Sequence, residues 1–297
     1  MFMSFNSRAM GHDLPAEEAI ELAHQTGFGG VDLLVRDIVR SRSDPRDLRA
    51  RIDALGLRPG AWPLPMNWKN DSDAFQRDLQ QLPVLARCAS ILGLTRTGTW
   101  VLPEIPERSS LEATVTMHAE RLAAMARLLN DFGISLGLEV IGVESSRTAG
   151  HRPFAHRLAD LKQYFQPLLE ENPNIGILLD GFHLYAAGET IEEGLAWGVE
   201  RIVWVHVADL PEGSSGDRSQ IKDADRGLPG ETPIVPTRGL LQRLAHEGYK
   251  GPVTAEPLSN SRALRGQNAP EAANRVATAL QSVWPASLRM SPTDPDQ

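Results

Sequence analysis

Four apolar segments of the chain each end in a side chain that can bind a metal ion. These side chains are Glu139, Asp180, His206 and Glu256. A carboxylate at the end of an apolar segment is costly to bury unless a cation pairs with it. Three carboxylates and an imidazole suit a hard or borderline divalent cation, with Mn as the first choice and Mg, Co or Zn as the others. The pattern therefore predicts one divalent-metal site.

Each side chain also has a structural interpretation when it is taken alone. Glu139 could form an ion pair with an arginine, and Asp180 could cap the turn that follows it. A histidine within a strand, such as His206, is more often structural than a ligand. The metal interpretation depends on the joint pattern, because four consecutive predicted strands end in ligand-type side chains.

Eight short apolar segments predict the strands that position these side chains. Several are apolar at consecutive positions, as in Ile202-Val203-Trp204-Val205, which is typical of a parallel strand covered on both faces. The predicted strands are Phe2–Asn6, Gly30–Val35, Arg58–Leu64, Leu94–Val101, Ser135–Ile141, Ile175–Leu179, Arg201–Val207 and Pro252–Ala255.

Segments with helical spacing lie between and after the strands. The first is bounded by Asp13 as a candidate N-cap and by Gly27 as a stop signal. The predicted helices are Pro15–Thr26, Pro45–Leu55, Ala74–Leu92, Ser110–Phe132, Phe154–Leu169, Thr190–Trp197, Thr237–His246 and Ala269–Val283.

This alternation of strand and helix predicts a single-domain α/β fold, a (β/α)8 TIM barrel over residues 1–284. The alternative is an open doubly wound sheet with a nucleotide site, but no Gly-x-Gly-x-x-Gly or Walker-type loop follows an early strand. In a closed barrel the carboxyl ends of the strands share one rim, so the four ligand candidates can converge there. The segment 285–297 is rich in Pro, Ser and Asp, and we expect it to be disordered.

The composition limits the partners of the protein. A formal net charge of −8 disfavours a nucleic acid or an anionic membrane as the main partner. The single cysteine, Cys88, excludes an intramolecular disulfide and a cysteine-rich metal site. The first residues lack a signal-peptide pattern, and no window approaches the ~18–20 apolar residues of a membrane span. We therefore expect an intracellular, cytoplasmic protein.

Three further side chains near the strand ends are candidates for contacts around the site. Asp209, three residues after His206, could orient that imidazole from outside the ligand shell through its second ring nitrogen. Trp62 and Trp100, near the ends of the third and fourth strands, could form an apolar wall beside the site. Packing in the barrel core is the alternative for both tryptophans.

Two more candidates lie in the segments that follow the sixth and seventh strands. His183 stands three residues after Asp180, where it could be either a functional residue or a core histidine. Arg226 lies in the long polar segment from Leu210 to Thr232 and could clamp an anion or a hydroxyl.

Taken together, these motifs resemble the xylose isomerase-like TIM barrels, specifically the sugar phosphate isomerase/epimerase family. The resemblance implies that the four terminal side chains are metal ligands and that Glu139 and Glu256 also form the acid/base pair. It further implies that His183 and Arg226 contact substrate oxygens. The motifs are Leu-Glu139, Leu-Asp180-x-x-His183, His206-x-x-Asp209, Arg226-x-x-Pro229-Gly230 and Glu256.

The resemblance implies a metal-dependent isomerase or epimerase of a small keto-sugar or polyol-derived ketone, acting through an enediolate. Glu139 could remove a proton from one face and Glu256 deliver one to the other. The same site would support a dehydratase, a lyase of the inosose or dehydroshikimate type, if the enediolate expels a hydroxyl. A third hypothesis is a non-catalytic barrel that binds a sugar.

Members of this broad family that repair DNA carry an additional histidine ligand. The fourth predicted strand, which reads Thr95-Arg96-Thr97-Gly98-Thr99-Trp100, has no histidine at its end. Together with the acidic charge, this favours a small carbohydrate or polyol-derived substrate over a nucleic acid. Relatives often pair through the helices at the barrel rim, so a homo-oligomer is possible.

Overall fold

The fold is built on one parallel sheet. The computed structural model describes residues 1–288 of the chain, and within that range the sheet has nine strands. Each observed pair of neighbours is parallel. The strands are β1 (Phe2–Phe5), β2 (Gly30–Val31), β3 (Arg58–Pro59), β4 (Trp62–Pro63), β5 (Arg96–Trp100), β6 (Ser135–Glu139), β7 (Ile175–Asp180), β8 (Ile202–Val207) and β9 (Pro252–Ala255).

The order of the strands is β3-β2-β1-β9-β8-β7-β6-β5-β4, so β3 and β4 are the two ends of the ladder. Only Gly60 and Ala61 separate these two strands in the chain. The chain itself therefore joins the ends of the sheet, and the first and last strands are hydrogen-bonded neighbours. The predicted (β/α)8 TIM barrel is confirmed.

The third predicted strand, Arg58–Leu64, was expected to be continuous, whereas the structure divides it. At the break, the Gly60 amide donates to the Val31 carbonyl, and the Ala61 amide donates to Oδ1 of Asp32. A Cβ on Gly60 would lie 2.1 Å from that same carboxylate oxygen, so the chain passes too close for any larger residue. The break follows from this close approach.

Ten α-helices lie within residues 1–288. The predicted Thr237–His246 and Ala269–Val283 are confirmed to the residue, and the other predicted helices differ at their ends. The short α2 and α7 were not predicted as helices. The helices are α1 (Ala16–Gln25), α2 (Val35–Ser41), α3 (Pro45–Ala54), α4 (Ser72–Leu92), α5 (Leu111–Asn130), α6 (Leu158–Glu171), α7 (Gly181–Ala186), α8 (Ile191–Leu195), α9 (Thr237–His246) and α10 (Ala269–Val283).

Side chains set where these helices begin. Asp71 begins α4 by accepting from the amides of Asp73 and Ala74, and Asn268 begins α10 through a reciprocal capping box with Glu271. Such caps satisfy amides that have no partner within the helix. The helices between consecutive strands cover the outside of the barrel, and Cys88 is buried on the inner face of α4.

The centre of the barrel is filled by large side chains opposite glycines. Gly98 of β5 leaves no space for a Cβ, which would lie 2.7 Å from Leu178 and 3.2 Å from the ring of Trp204. Gly98 thus admits the indole of Trp204, whose ring lies edge-on to His206 with 4.4 Å between centroids. This layer forms a solid floor beneath the carboxyl ends of the strands.

The structure describes little of the C-terminal segment. A short 3-10 helix spans Ala286–Leu288, and residues 289–297 lie outside the described range. The predicted disorder of the segment 285–297 thus falls mainly on residues of which the structure says nothing. No helix among the described residues has the length and apolar character needed to cross a membrane.

Candidate active site

Four consecutive strands bring the predicted metal ligands together. Glu139 ends β6, Asp180 ends β7, His206 lies in β8, and Glu256 directly follows β9. Asp180 and His206 are partners in the β7–β8 register. One ligand atom from each of the four lies within 4.8 Å of the others. The sequence-based expectation that these side chains converge on one rim agrees with this placement.

The donor set fits a divalent ion. Ligands at about 2.1 Å from one ion lie at most roughly 4 Å apart, so small side-chain movements would close the observed cluster around an ion. Both ring nitrogens of His206 are buried and lack a hydrogen-bond partner among the described residues. Its Nδ1 lies 3.3 Å from Oε2 of Glu256 and 3.8 Å from Oε1 of Glu139. A buried imidazole without a hydrogen bond, next to two carboxylates, is the arrangement expected of a ligand.

Asp180 carries two structural interactions as well. Its Oδ1 accepts from the amides of Phe182 and His183 at 2.7 and 3.2 Å and so caps α7. Its Oδ2 accepts from Nη1 of Arg226 at 2.7 Å, and both side chains are 1 % exposed. Asp180 therefore caps α7, as its structural interpretation expected, and also lies in the ligand cluster.

Arg226 neutralises a large part of the cluster's negative charge. Its Nη1 also lies 3.2 Å from Oε2 of Glu256, and its Nε donates to Oδ1 of Asp223 at 2.8 Å. Although burial would raise it, the Arg226 guanidinium holds the pKa of Asp180 below its usual range. The same arginine and His206 likewise lower the pKa of Glu256 against the effect of burial.

The two glutamates differ in their affinity for protons. Burial, reinforced by the neighbouring Glu256, raises the pKa of Glu139 well above its usual range. The pKa of Glu256 is lowered instead, because His206 and Arg226 face it directly. Burial alone would lower the pKa of His206, yet Glu256 and Glu139 raise it to about 9. Glu139 therefore holds a proton more readily than Glu256 does.

His183 and Arg226 lie behind the ligand cluster. Nη2 of Arg226 donates to Nε2 of His183 at 2.9 Å, and both residues are buried. Burial, followed by the charge of Arg226, lowers the pKa of His183, which is consistent with an imidazole that accepts this hydrogen bond. Neither side chain lines the cavity described below. Their contact with substrate oxygens stays a prediction.

The structure corrects the expectation for Asp209. Its Oδ1 accepts from the Leu210 amide at 2.8 Å, from the Thr232 hydroxyl at 2.7 Å and from the Val235 amide at 3.2 Å. Asp209 therefore does not orient His206, which makes no hydrogen bond. Strand β8 ends at Val207, so Asp209 lies in the loop that follows, where its carboxylate binds other residues of that loop. Asp209 instead anchors both ends of the loop between β8 and α9.

The two tryptophans have different environments. Trp62 is fully buried in the hydrophobic core and does not line the cavity, which corrects the expectation that it contacts substrate. Trp100 is 43 % exposed and forms part of the cavity wall. It is paired with Glu139 in the β5–β6 register, so its ring stands beside the ligand cluster. Trp62 therefore packs in the barrel core, which was the alternative expectation for it.

An open cavity of about 550 Å³ lies over the ligand cluster at the carboxyl ends of the strands. Glu139, His206 and Glu256 form part of its floor, and Trp100 forms part of its wall. Sequence reasoning missed Lys69 and Arg36, which also line it. In the sequence, the position of Lys69 directly after Trp68, in the polar segment after the third strand, was the one indication that this lysine could lie near the site.

A parallel β/α barrel with a candidate metal cluster and a cavity at its carboxyl rim defines the class of this protein. The chain belongs to the xylose isomerase-like TIM barrel family, whose sequence model matches residues 20–282. No curated protein matches the chain significantly.

Solved structures resemble nearly the whole chain. A xylose isomerase domain protein from Alicyclobacillus acidocaldarius subsp. acidocaldarius is 27 % identical, with a TM-score of 0.81 over 95 % of this chain and 97 % of that one. The IolI protein with a binding zinc atom is 18 % identical, with a TM-score of 0.76 over 95 % and 98 %. D-psicose 3-epimerase from Clostridium cellulolyticum H10, solved with D-tagatose, is 14 % identical, with a TM-score of 0.70 over 95 % and 98 %.

Proposed function

We propose that this protein is a divalent-metal-dependent isomerase or epimerase of a small keto-sugar or polyol-derived ketone. The observation that carries the proposal is the convergence of Glu139, Asp180, His206 and Glu256 beneath one cavity. Similar structures support it, because one holds a zinc atom and another is a sugar 3-epimerase solved with a ketose. Manganese is the ion we propose for the carboxylate-rich donor set.

The proposed chemistry is proton transfer next to a carbonyl. An ion held by the four side chains would supply the positive charge that makes such a proton acidic. Glu139 then accepts the proton from one face of the substrate, and Glu256 returns one to the opposite face, which inverts the carbon. Return of the proton to the neighbouring carbon exchanges an aldose and a ketose. Loss of a hydroxyl at the next carbon gives a dehydration instead.

The surroundings of the two glutamates support their assignment as an acid/base pair. Environments that push the proton affinities of two carboxylates apart are typical of acid/base pairs. Glu139 and Glu256 flank His206 from strands on either side of it, so a substrate placed over the cluster lies between them. The exposed face of Trp100 gives an apolar wall against which a sugar ring can pack.

The test is solvent deuterium exchange with the metal-loaded protein. We expect NMR to detect deuterium next to the carbonyl of at least one of D-fructose, D-psicose, D-tagatose or an inosose. Glu139→Gln and Glu256→Gln should each slow the exchange by about 10²–10⁴-fold, the usual contribution of a general acid or base. Glu192→Gln, an exposed glutamate outside the cavity, is the matched control.

The outcomes separate the three hypotheses. Exchange with a new epimer or isomer supports the proposal, whereas exchange accompanied by an enone and water loss identifies a dehydratase. If metal binds to the native protein but no ketone exchanges a proton, the non-catalytic sugar-binding barrel is the correct description. The cytoplasmic location, the absence of a nucleic-acid or membrane partner and a homo-oligomeric state stay predictions from sequence.

A further inference from the structure

Two cationic side chains on the cavity wall have no part in the proton transfer proposed above. Lys69 follows buried Trp68 in the loop between β4 and α4, and Arg36 is the second residue of α2. Both are partly buried and both line the cavity that contains Glu139 and Glu256. A neutral sugar would require neither positive charge.

Lys69 is held between two aromatic rings. Its Nζ lies 3.8 Å from the centroid of the Trp100 ring and 5.0 Å from that of Trp68. Among residues 1–288, no carboxylate lies within ion-pair distance of this amine. Burial lowers the pKa of Lys69 to about 8, with Glu139 opposing the shift. Desolvation of an ammonium group without an anionic partner is unfavourable, so the position is costly unless an anion binds there.

Arg36 is fixed in place but keeps donors free. Its Nη2 donates to the Pro65 carbonyl, and within the described range no acidic side chain pairs with it. Arg8, which lines the same cavity, differs because its Nε donates to Asp13 at 2.9 Å. Arg36 and Lys69 are therefore the cations of this cavity whose charges are not already matched by a carboxylate.

The negative and the positive side chains of the cavity lie at different places. The carboxylates of Glu139 and Glu256 lie at the floor, where a divalent ion and Arg226 would neutralise them. The charges of Lys69 and Arg36 are then in excess on the wall. A ligand with a carbonyl at one end and an anionic group at the other matches this arrangement.

We propose that the substrate carries an anionic group, a carboxylate or a phosphate, that binds to Lys69 and Arg36 on the cavity wall. This inference rests on the proposed function, since it names the substrate class of the same site. The cation–π contacts with Trp100 and Trp68 hold the ammonium group in position for the anion. Binding at this point would orient the reacting carbons toward the two glutamates.

Three small ketones of similar size test the proposal by calorimetric titration of the manganese-loaded protein. Dihydroxyacetone is neutral, dihydroxyacetone phosphate carries a phosphate, and hydroxypyruvate carries a carboxylate. We expect at least one of the two anions to bind about tenfold or more tightly than dihydroxyacetone, as expected for a hydrogen-bonded charge pair. Lys69→Met and Arg36→Met should each reduce this preference, the ratio of the anion's affinity to that of dihydroxyacetone, at least threefold.

The matched control is Arg40→Met, on the same helix as Arg36 but 71 % exposed and outside the cavity. A preference for phosphate alone or for carboxylate alone supports the proposal and identifies the group. Equal affinity for all three ketones, no measurable binding of either anion, or a preference that survives both substitutions would overturn it. Metal content and deuterium exchange, measured on the same proteins, show separately whether the proposed function holds.

Discussion

Asp180 illustrates how one side chain can serve the fold and the candidate site together. One of its oxygens caps α7, and the other accepts from the buried Arg226. Asp180 is one of three carboxylates that face Arg226, and loss of a hydrogen bond between charged groups typically costs about 1.5–3 kcal/mol. The arginine and the candidate ligand are therefore energetically linked.

This linkage gives a prediction for Asp180→Asn. The variant should lose metal binding and should lower the free energy of unfolding by about 1.5 kcal/mol or more, because Arg226 loses a buried, charged hydrogen-bond partner while Asp223 and Glu256 remain. Metal analysis and urea unfolding measure the two effects. Asp223→Asn is the control, because this second carboxylate partner of Arg226 is 44 % exposed. Equal losses in both variants would contradict the argument.

The sequence predicted the four cluster residues because their types and their positions at strand ends agree with a simple geometric rule. It could not place the neighbours of the cluster equally well. Trp62 and Trp100 have the same type and similar positions, and only the packing of the barrel decides that one is buried and the other exposed. Lys69 and Arg36 reach the cavity from a loop and from a helix that no periodicity indicated.

At the scale of elements, the loop between β8 and α9 is held at its two ends by Asp209. The carboxylate binds Thr232 and the Val235 amide, and the Asp209 backbone pairs with Gly227 in an isolated bridge. Arg226 directly precedes Gly227, so the anchor of the loop also fixes the arginine that contacts the cluster.

We therefore expect Asp209→Ala to loosen the loop. Amide hydrogens of residues 210–235 should exchange faster, because the loop loses the hydrogen bonds that the Asp209 carboxylate accepts. Asp209→Asn should restore most of the protection, since the amide oxygen can accept the same three hydrogen bonds. Hydrogen exchange followed by mass spectrometry gives the measurement, with the exposed Glu212→Ala as control. Unchanged protection in Asp209→Ala would disprove the anchoring role.

Helix α5 contains a buried histidine that should make stability depend on pH. The ring of His118 packs edge-on against Trp68 and Phe154, and its Nδ1 lies 2.8 Å from the Thr114 carbonyl. Burial lowers the pKa of His118 from 6.5 to about 4. The unfolded chain therefore binds this proton more readily than the folded chain, so the stability present above pH 6.5 decreases as the pH falls toward 4.

The expected loss from His118 is on the order of 3 kcal/mol between pH 7 and pH 4. His118→Phe keeps the aromatic packing and cannot be protonated, so its unfolding free energy should fall less steeply over this interval. Urea unfolding at a series of pH values compares the two proteins. The exposed His246→Phe should retain the slope of the native chain; an unchanged slope in His118→Phe would refute this assignment.

The longer helices were predictable from their periodicity and caps, as the agreement for α9 and α10 shows. The missed helices α2 and α7 have 7 and 6 residues, too few for an apolar face to repeat. The division of the third strand was equally hidden, because it follows from the approach of Gly60 to the Asp32 carboxylate at the end of the neighbouring strand β2. Tertiary contacts of this kind leave no local pattern.

At the scale of the whole molecule, the candidate ligands come from strands that pack as one unit, so an ion should stabilise the entire barrel. Binding to the folded state alone at a concentration of about 100 times Kd contributes about 2.7 kcal/mol. For a chain of this size that corresponds to a rise in Tm of about 4 °C. Calorimetry with manganese and with a chelator measures the difference. Asp180→Asn should show no such rise. A native protein whose Tm is the same with manganese and with a chelator would contradict a metal site.

The position of β9 between β1 and β8 has a consequence for synthesis of the chain. A ribosome completes Glu139, Asp180 and His206 well before Glu256, which follows the last strand of the sheet. Until that strand emerges, β1 and β8 present unpaired backbone edges, which are sites for unwanted association. Insertion of β9 covers both edges and delivers the fourth cluster residue in the same event. A nascent chain thus cannot assemble the complete ligand set before its barrel is closed.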